Sequence, residues 1–177
     1  ARVEALRLAE VFRASVIGGV GAGGAFADGS LRQRHELRVE RMELPVNGLP
    51  RGFDGLRVVQ LSDLHHEPWT KLPELAAAVE QANALEPDVT VLTGDYVTTK
   101  LDPIFPLAPV LGRLRAGLGV FGVLGNHDYR SGDHGDRVAR AVEAAGVPLL
   151  RNDGVFLRRG GDRLRLAGLE SLRRGRP

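Results

Sequence analysis

The sequence contains no cysteine, which excludes disulfides, thiolate zinc sites and cysteine nucleophiles together. Any metal must therefore sit on His, Asp, Glu or Asn. A chain without thiols suits an oxidising or a reducing compartment equally. Lysine is scarce as well: of 24 basic residues only Lys71 and Lys100 are lysines and the rest are arginine. Arginine stays charged at any working pH and forks onto phosphate oxygens, so the bias is compatible with phosphorylated substrates, as it is with a high-GC genome. The 24 basic and 22 acidic residues nearly cancel to a net charge of +2, and nothing specifically indicates a nucleic-acid partner. The apolar, Gly-rich stretch Val16 to Ala27 is too short to cross a bilayer as a helix.

That stretch follows Arg2, Arg7 and Arg13 and ends in Ala25-Phe26-Ala27, the order of basic, apolar and small residues found in export signals. A short amphipathic helix followed by a flexible Gly-rich linker accounts for it equally. Residues 1–34 are therefore expected to be a signal-like or linker segment, and the start at Ala1 suggests that something upstream is missing or was removed. Export or membrane association and a cytoplasmic location both stay open. The remaining composition, 43% hydrophobic and 26% charged, is ordinary for a soluble globular domain.

From His35 onward strands and helices alternate. Leu37, Val39, Met42 and Leu44 predict an edge strand, and Leu56 to Leu61 a short buried strand that runs into Ser62-Asp63. The spacing of Leu75, Ala76, Val79, Ala82 and Leu85 predicts a helix over Pro73 to Leu85, with proline in its first turn. Asp88 to Leu92 is a second buried strand leading into Thr93-Gly94-Asp95. A helix is expected within Pro103 to Arg115, broken or delayed by Pro106 and Pro109. Leu118 to Leu124 is a third strand, ending in Gly125-Asn126-His127-Asp128. Asp136 to Ala145 is a helix closed by Gly146 in a left-handed conformation. Three short strands are expected at Pro148 to Leu150, Gly154 to Arg158 and Arg163 to Ala167. Such alternation implies an α/β fold with a largely parallel sheet.

Asp63, Asp95 and Asn126 follow one another at about the length of a βα unit, each just after a predicted strand. Loops at the carboxyl ends of parallel strands share one edge of the sheet, where ligands bind, so Asp63, His65, Asp95, Asn126 and His127 should converge. Carboxylate, imidazole and amide donors suit divalent ions such as Mn, Fe or Zn. A carboxylate shared by two ions can hold them at the separation that phosphoryl transfer uses, and the middle residue, Asp95, is the natural bridge.

Ser62-Asp63-Leu64-His65, Gly94-Asp95 and Gly125-Asn126-His127-Asp128 resemble the first three signature motifs of the calcineurin-like metallophosphoesterase family. The lead-in Leu49 to Leu61 is similar to its bacterial exported or membrane-associated branch, which is related to phosphoesterases acting on lipid-linked phosphates. The resemblance covers about Glu36 to Gly168. It implies a binuclear site with two divalent metal ions: Asp63 and His65 on the first, Asp95 bridging, Asn126 on the second. His127 is then the general acid facing the scissile bond, oriented by Asp128. Gly94 and Gly125 would let the backbone approach the ions. The implied fold is a sandwich of two sheets with helices outside, of which residues 35–170 supply about the N-terminal half, with 171–177 an Arg-rich tail.

Relatives carry two further motifs downstream, a lone His and a Gly-His-x-His pair, whereas here His134 is the last histidine. Gly168-Leu169-Glu170-Ser171 stands where relatives tend to have an acidic Gly-x-Asp-Asp turn. The expectation is a metal-dependent phosphoesterase, acting on a phosphoester that is lipid-linked in the related branch, with an incomplete site in this chain. Peripheral membrane association, a complementing chain and self-association through exposed apolar sheet surface are the partner readings. The alternative is a non-catalytic remnant or interaction module with weak metal binding. His66 is read as a pocket-rim residue, Trp69 as packing against Pro68 and Pro73 with a pocket-rim cap as its competing role, and Arg130 as a solvated residue with contact to a substrate phosphate as the alternative.

Overall fold

The computed structural model describes residues 1–10, 37–130 and 132–172. Val16 to Ala27, His35 and most of the Arg-rich tail, with the readings attached to them, lie outside the described residues. Five strands form one sheet: β1 (Arg2–Glu10), β2 (Leu37–Pro45), β3 (Leu56–Leu61), β4 (Val89–Leu92) and β5 (Val120–Gly122), in the order β2-β1-β3-β4-β5. β1 pairs antiparallel with β2, and the β1–β3, β3–β4 and β4–β5 pairs are parallel. The mostly parallel α/β architecture expected from the alternation is therefore present.

Helices α1 (Leu72–Ala84), α2 (Ile104–Leu111) and α3 (His134–Ala144) all pack on one face of that sheet. Val59, Leu61 and Leu92 of the strands share a buried cluster with Val79 and Ala82 of α1, Ile104 and Leu107 of α2, and Val138 and Val142 of α3. Each such side chain fully removed from water contributes about 1.5–3 kcal/mol, so this layer supplies most of the driving force. A hairpin of β6 (Asp153–Arg159) and β7 (Asp162–Gly168) lies on the opposite face, where Leu157 joins Val3, Phe53, Leu56 and Val89. Met42 and Leu44 of the outer strand stay exposed.

Local signals explain most element ends. Gly146 takes a φ of +92° after α3. Its N–H bonds to the Glu143 carbonyl and that of Val147 to the Val142 carbonyl, the paired bonds that close a helix when glycine follows it. At the foot of α1, the Lys71 N–H bonds to the Glu74 carboxylate at 2.9 Å.

Four expectations change. Arg2–Glu10, placed in a signal-like or linker segment and read as a helix at most, is a strand inside the sheet, between β2 and β3. Pairing on both sides outweighs the helix preference of its Ala, Leu, Arg and Glu residues. Pro148 to Leu150 is no strand but a single bridge between Leu149 and Gly122. The third strand shortens from Leu118–Leu124 to Val120–Gly122, because the residues after it turn away to build a loop. α2 runs through Pro109, whose missing N–H is tolerated in a helix seated on Ile104, Leu107 and Leu111.

Candidate metal centre

The loops after β3, β4 and β5 are stitched together by main-chain bonds. The Asp63 N–H reaches the Gly94 carbonyl at 3.2 Å and the His65 N–H reaches the Asp95 carbonyl at 2.9 Å. Gly94 and Gly125 are needed where the loops meet. A Cβ on Gly94 would strike the Gly125 backbone, and one on Gly125 would strike the Asp95 carboxylate. These glycines let the loops approach one another. Three candidate ligands adopt left-handed backbone that non-glycine residues rarely take: Asp63 at φ 55°, His65 at 42° and Asp95 at 55°. Such conformations cost on the order of 1–3 kcal/mol each and cluster where function fixes a side chain.

The loops bring His65, Asp95 and His127 together, with one donor atom from each lying within 4.8 Å of the others. His65 Nε2 stands 3.8 Å from an Asp63 oxygen and 3.8 Å from Asp95 Oδ2. The His65 and His127 rings meet edge to face at 4.9 Å. Asp95 is buried, and its Oδ1 accepts the His127 N–H at 2.8 Å. Asp63 belongs to this group through His65, with its own side chain 58% exposed. Asn126 lies in the same loop as His127, half-buried.

A metal fits this donor set. His65 Nδ1 is buried without a hydrogen-bond partner, and Nε2 faces two carboxylate oxygens beyond hydrogen-bond length. Donors around one ion at about 2.1 Å sit roughly 3–4 Å apart, close to these separations. A divalent ion would give His65 Nε2 and the Asp63 and Asp95 oxygens that face it a shared partner, which no hydrogen bond between them supplies.

The chain from residue 56 to residue 176 matches the family model of calcineurin-like phosphoesterases. It belongs to that family. A Bos taurus protein described as a transmembrane protein with metallophosphoesterase domain is 32% identical over 150 residues, which is 81% of this chain and 34% of the relative. YkuE of Bacillus subtilis, an uncharacterized metallophosphoesterase, is 29% identical over 94% of this chain and 59% of its own length. The UDP-2,3-diacylglucosamine pyrophosphatase LpxG of Chlamydia trachomatis is 41% identical over 52% of this chain and 29% of the relative. The chain thus spans from 29% to 59% of the length of these three relatives. No solved structure matches it.

Within this calcineurin-like domain Asp128 does not orient His127, the role the motif resemblance implied. Its carboxylate accepts backbone N–H bonds from Asp95 and Gly125 on one oxygen, each 2.9 Å, and from Tyr96 and Val97 on the other, 2.9 and 3.3 Å. Asp128 is fully buried, and that burial pushes its carboxyl up to about 7, with the N–H bonds pulling the other way and the nearby Asp95 charge adding to the rise. The ring of His127 is held instead by the Thr98 carbonyl, 2.9 Å from Nδ1. Nothing in the sequence flags Thr98, because its contribution is a backbone oxygen.

A second set of polar residues braces the His127 loop from behind. Tyr129 Oη and Arg151 Nε both donate to Glu170 Oε1 at 2.6 Å, and Arg151 Nη1 reaches Asp136 in the first turn of α3 at 2.8 Å. Glu170, noted in the sequence only as a departure from the acidic turn of relatives, is thus the anchor of this brace. Burial, then Glu170, push the Tyr129 hydroxyl above its ordinary range. His66, expected at a pocket rim, is buried instead and bonds through Nδ1 to the Thr70 carbonyl at 2.9 Å. Arg130 is exposed.

Proposed function

We propose that this loop edge is a metal-dependent phosphoester-hydrolysing site. In a two-ion form Asp63 and His65 would hold one ion, Asn126 the other, and Asp95 would serve both. The observation that carries the reading is the convergence of the His65, Asp95 and His127 side chains on one loop edge, with His65 and Asp95 in left-handed backbone. Two divalent ions, Mn, Fe or Zn, supply Lewis acidity toward phosphoryl oxygens and a nucleophile from water at neutral pH. The chain's own part is to hold and to protonate. Asp95 has one oxygen fixed by the His127 N–H and keeps the other toward His65. His127, with Nδ1 on the Thr98 carbonyl, retains Nε2 as the atom that gives a proton to the leaving oxygen. His127→Ala should therefore leave Mn content nearly unchanged in elemental analysis; a loss matching that of His65→Ala would make His127 a ligand.

The residues present give three protein donors to one ion and two to the other, counting Asp95 in both, fewer than closed shells use. Further donors would come from another part of a longer chain or from a second copy, and the exposed Met42 and Leu44 offer apolar surface for such an addition. The relative named for UDP-2,3-diacylglucosamine favours a phosphate or pyrophosphate ester with an apolar part as the substrate class. No helix among the described residues is long and apolar enough to cross a membrane.

The test is hydrolysis of bis(p-nitrophenyl) phosphate in excess Mn by this chain and by the chain extended with the second half of a relative. Turnover should rise by several orders of magnitude in the extended form, the scale set by a principal catalytic element. Equal rates would show that the donors present suffice. No rate from either, with metal bound, would favour the second reading, a non-catalytic module with weak metal affinity, for which the low donor count speaks.

A further inference from the structure

The chain has one tryptophan, and the structure keeps it out of the core. Trp69 is 63% exposed although its neighbours in the turn are not: His66 is 4% and Thr70 1% exposed. The packing against Pro68 and Pro73 expected of it does not bury it. The turn that carries it is pinned at both ends. The Glu67 N–H bonds to the Thr70 carbonyl at 3.2 Å, and the Thr70 N–H returns to the His65 carbonyl at 3.4 Å. His66 bridges both Thr70 and Val97, and its N–H bonds to the Tyr96 carbonyl at 2.9 Å. Lys71 spans the outside of the turn to both Glu67 oxygens at 3.1 and 3.2 Å, so its charge is engaged.

The same bonds tie the turn to the candidate metal centre. The His65 carbonyl that closes it also accepts the Thr98 hydroxyl at 3.4 Å, and the Thr98 carbonyl holds His127. A large flat apolar side chain is therefore presented to solvent from a turn whose backbone is pinned at both ends, on the loop that carries one candidate ligand and against the loop that carries another. Burying an indole is among the largest apolar gains open to a single residue, and this fold forgoes it. An exposed aromatic face on a pinned turn offers stacking to a planar partner, with the backbone ordering already in place.

We propose that Trp69 is a specificity-determining residue whose indole stacks on a planar aromatic group, a nucleobase or aryl ring, esterified to the phosphate bound at the loop edge. This rests on the reading of that edge as a phosphoester site. Phosphate recognition then belongs to the metal centre, and discrimination between organic groups to Trp69.

Because Trp69 is the sole tryptophan, its emission reports this position alone. With Mn present throughout, the chain is titrated with uridine 5′-monophosphate and with ribose 5-phosphate, which keeps the phosphate ester and lacks the base. Affinities come from calorimetry, and emission is followed in parallel. Stacking on an aromatic residue should make the nucleotide bind on the order of ten-fold more tightly and quench the emission. Trp69→Leu should erase the difference and Trp69→Phe should keep most of it, circular dichroism confirming that both fold. Equal affinities in the unaltered chain, or a difference that survives in Trp69→Leu, would overturn the proposal and leave the phosphoester site intact. Binding of neither ligand would overturn the site reading and this inference with it. Equal affinities together with a blue shift on phosphatidylcholine–phosphatidylglycerol vesicles would assign the indole to a membrane surface instead.

Discussion

In the helical layer Leu107, Val138 and Val142 are fully buried among other apolar side chains; at the loop edge Asp128 is equally buried, yet its carboxylate is shared among four backbone N–H groups from two loops. The first region gains stability from area and tolerates ordinary backbone throughout its helices. The second concentrates left-handed residues and carboxylates, and is held by a few directional bonds. Layer and loops therefore have different jobs: one supplies free energy, and the other spends part of it to fix donor atoms.

Substitutions should separate the two. Asp128→Ala is expected to have the largest effect, a destabilisation of about 3–5 kcal/mol in urea titrations, because it strands buried N–H donors in both loops. It should also abolish metal binding by the fraction that remains folded. Leu107→Ala should cost about 2–5 kcal/mol through its cavity while the folded fraction binds Mn as the unaltered chain does. If it weakens binding as much as Asp128→Ala, the layer and the loops are one unit and the comparison breaks.

A smaller effect follows from pH. Folding raises the Asp128 carboxyl from 3.8 to about 7, so folding favours its protonated form. That contribution is complete below about pH 4 and is lost as pH rises through 7. Metal-free chain should accordingly lose stability between pH 4 and 7 relative to Asp128→Asn, measured by urea midpoints. Parallel pH profiles for the two would show that the hydrogen bonds, not burial, govern this group.

The helical layer was legible because its signals are local. Apolar spacing located α1 and α3 within a residue or two, Gly146 marked the end of α3, and β3 was placed at its observed bounds. Arg2–Glu10 was not legible, since its strand state depends on partners that lie far along the chain, β2 and β3. At the loop edge the spacing of Asp63, Asp95 and Asn126 foretold that three loops meet. The geometry refined what they do there: the donors that Asp128 accepts from Asp95, Tyr96 and Val97 lie 31 to 33 residues away, a relation no local pattern encodes. Trp69 was ambiguous for the same reason, because its exposure depends on where the folded turn places it.

Asp95 is the point on which the loop-edge account turns, being buried, strained, and in contact with both His65 and the His127 backbone. The direct measurement is calorimetric titration of Mn into the unaltered chain, Asp95→Asn and Asn126→Ala. Asp95→Asn should lose most of the affinity and Asn126→Ala a smaller part, since only the first residue serves both ions. Equal or reversed losses, or saturable binding that Asp95→Asn leaves untouched, would contradict a metal centre bridged by Asp95.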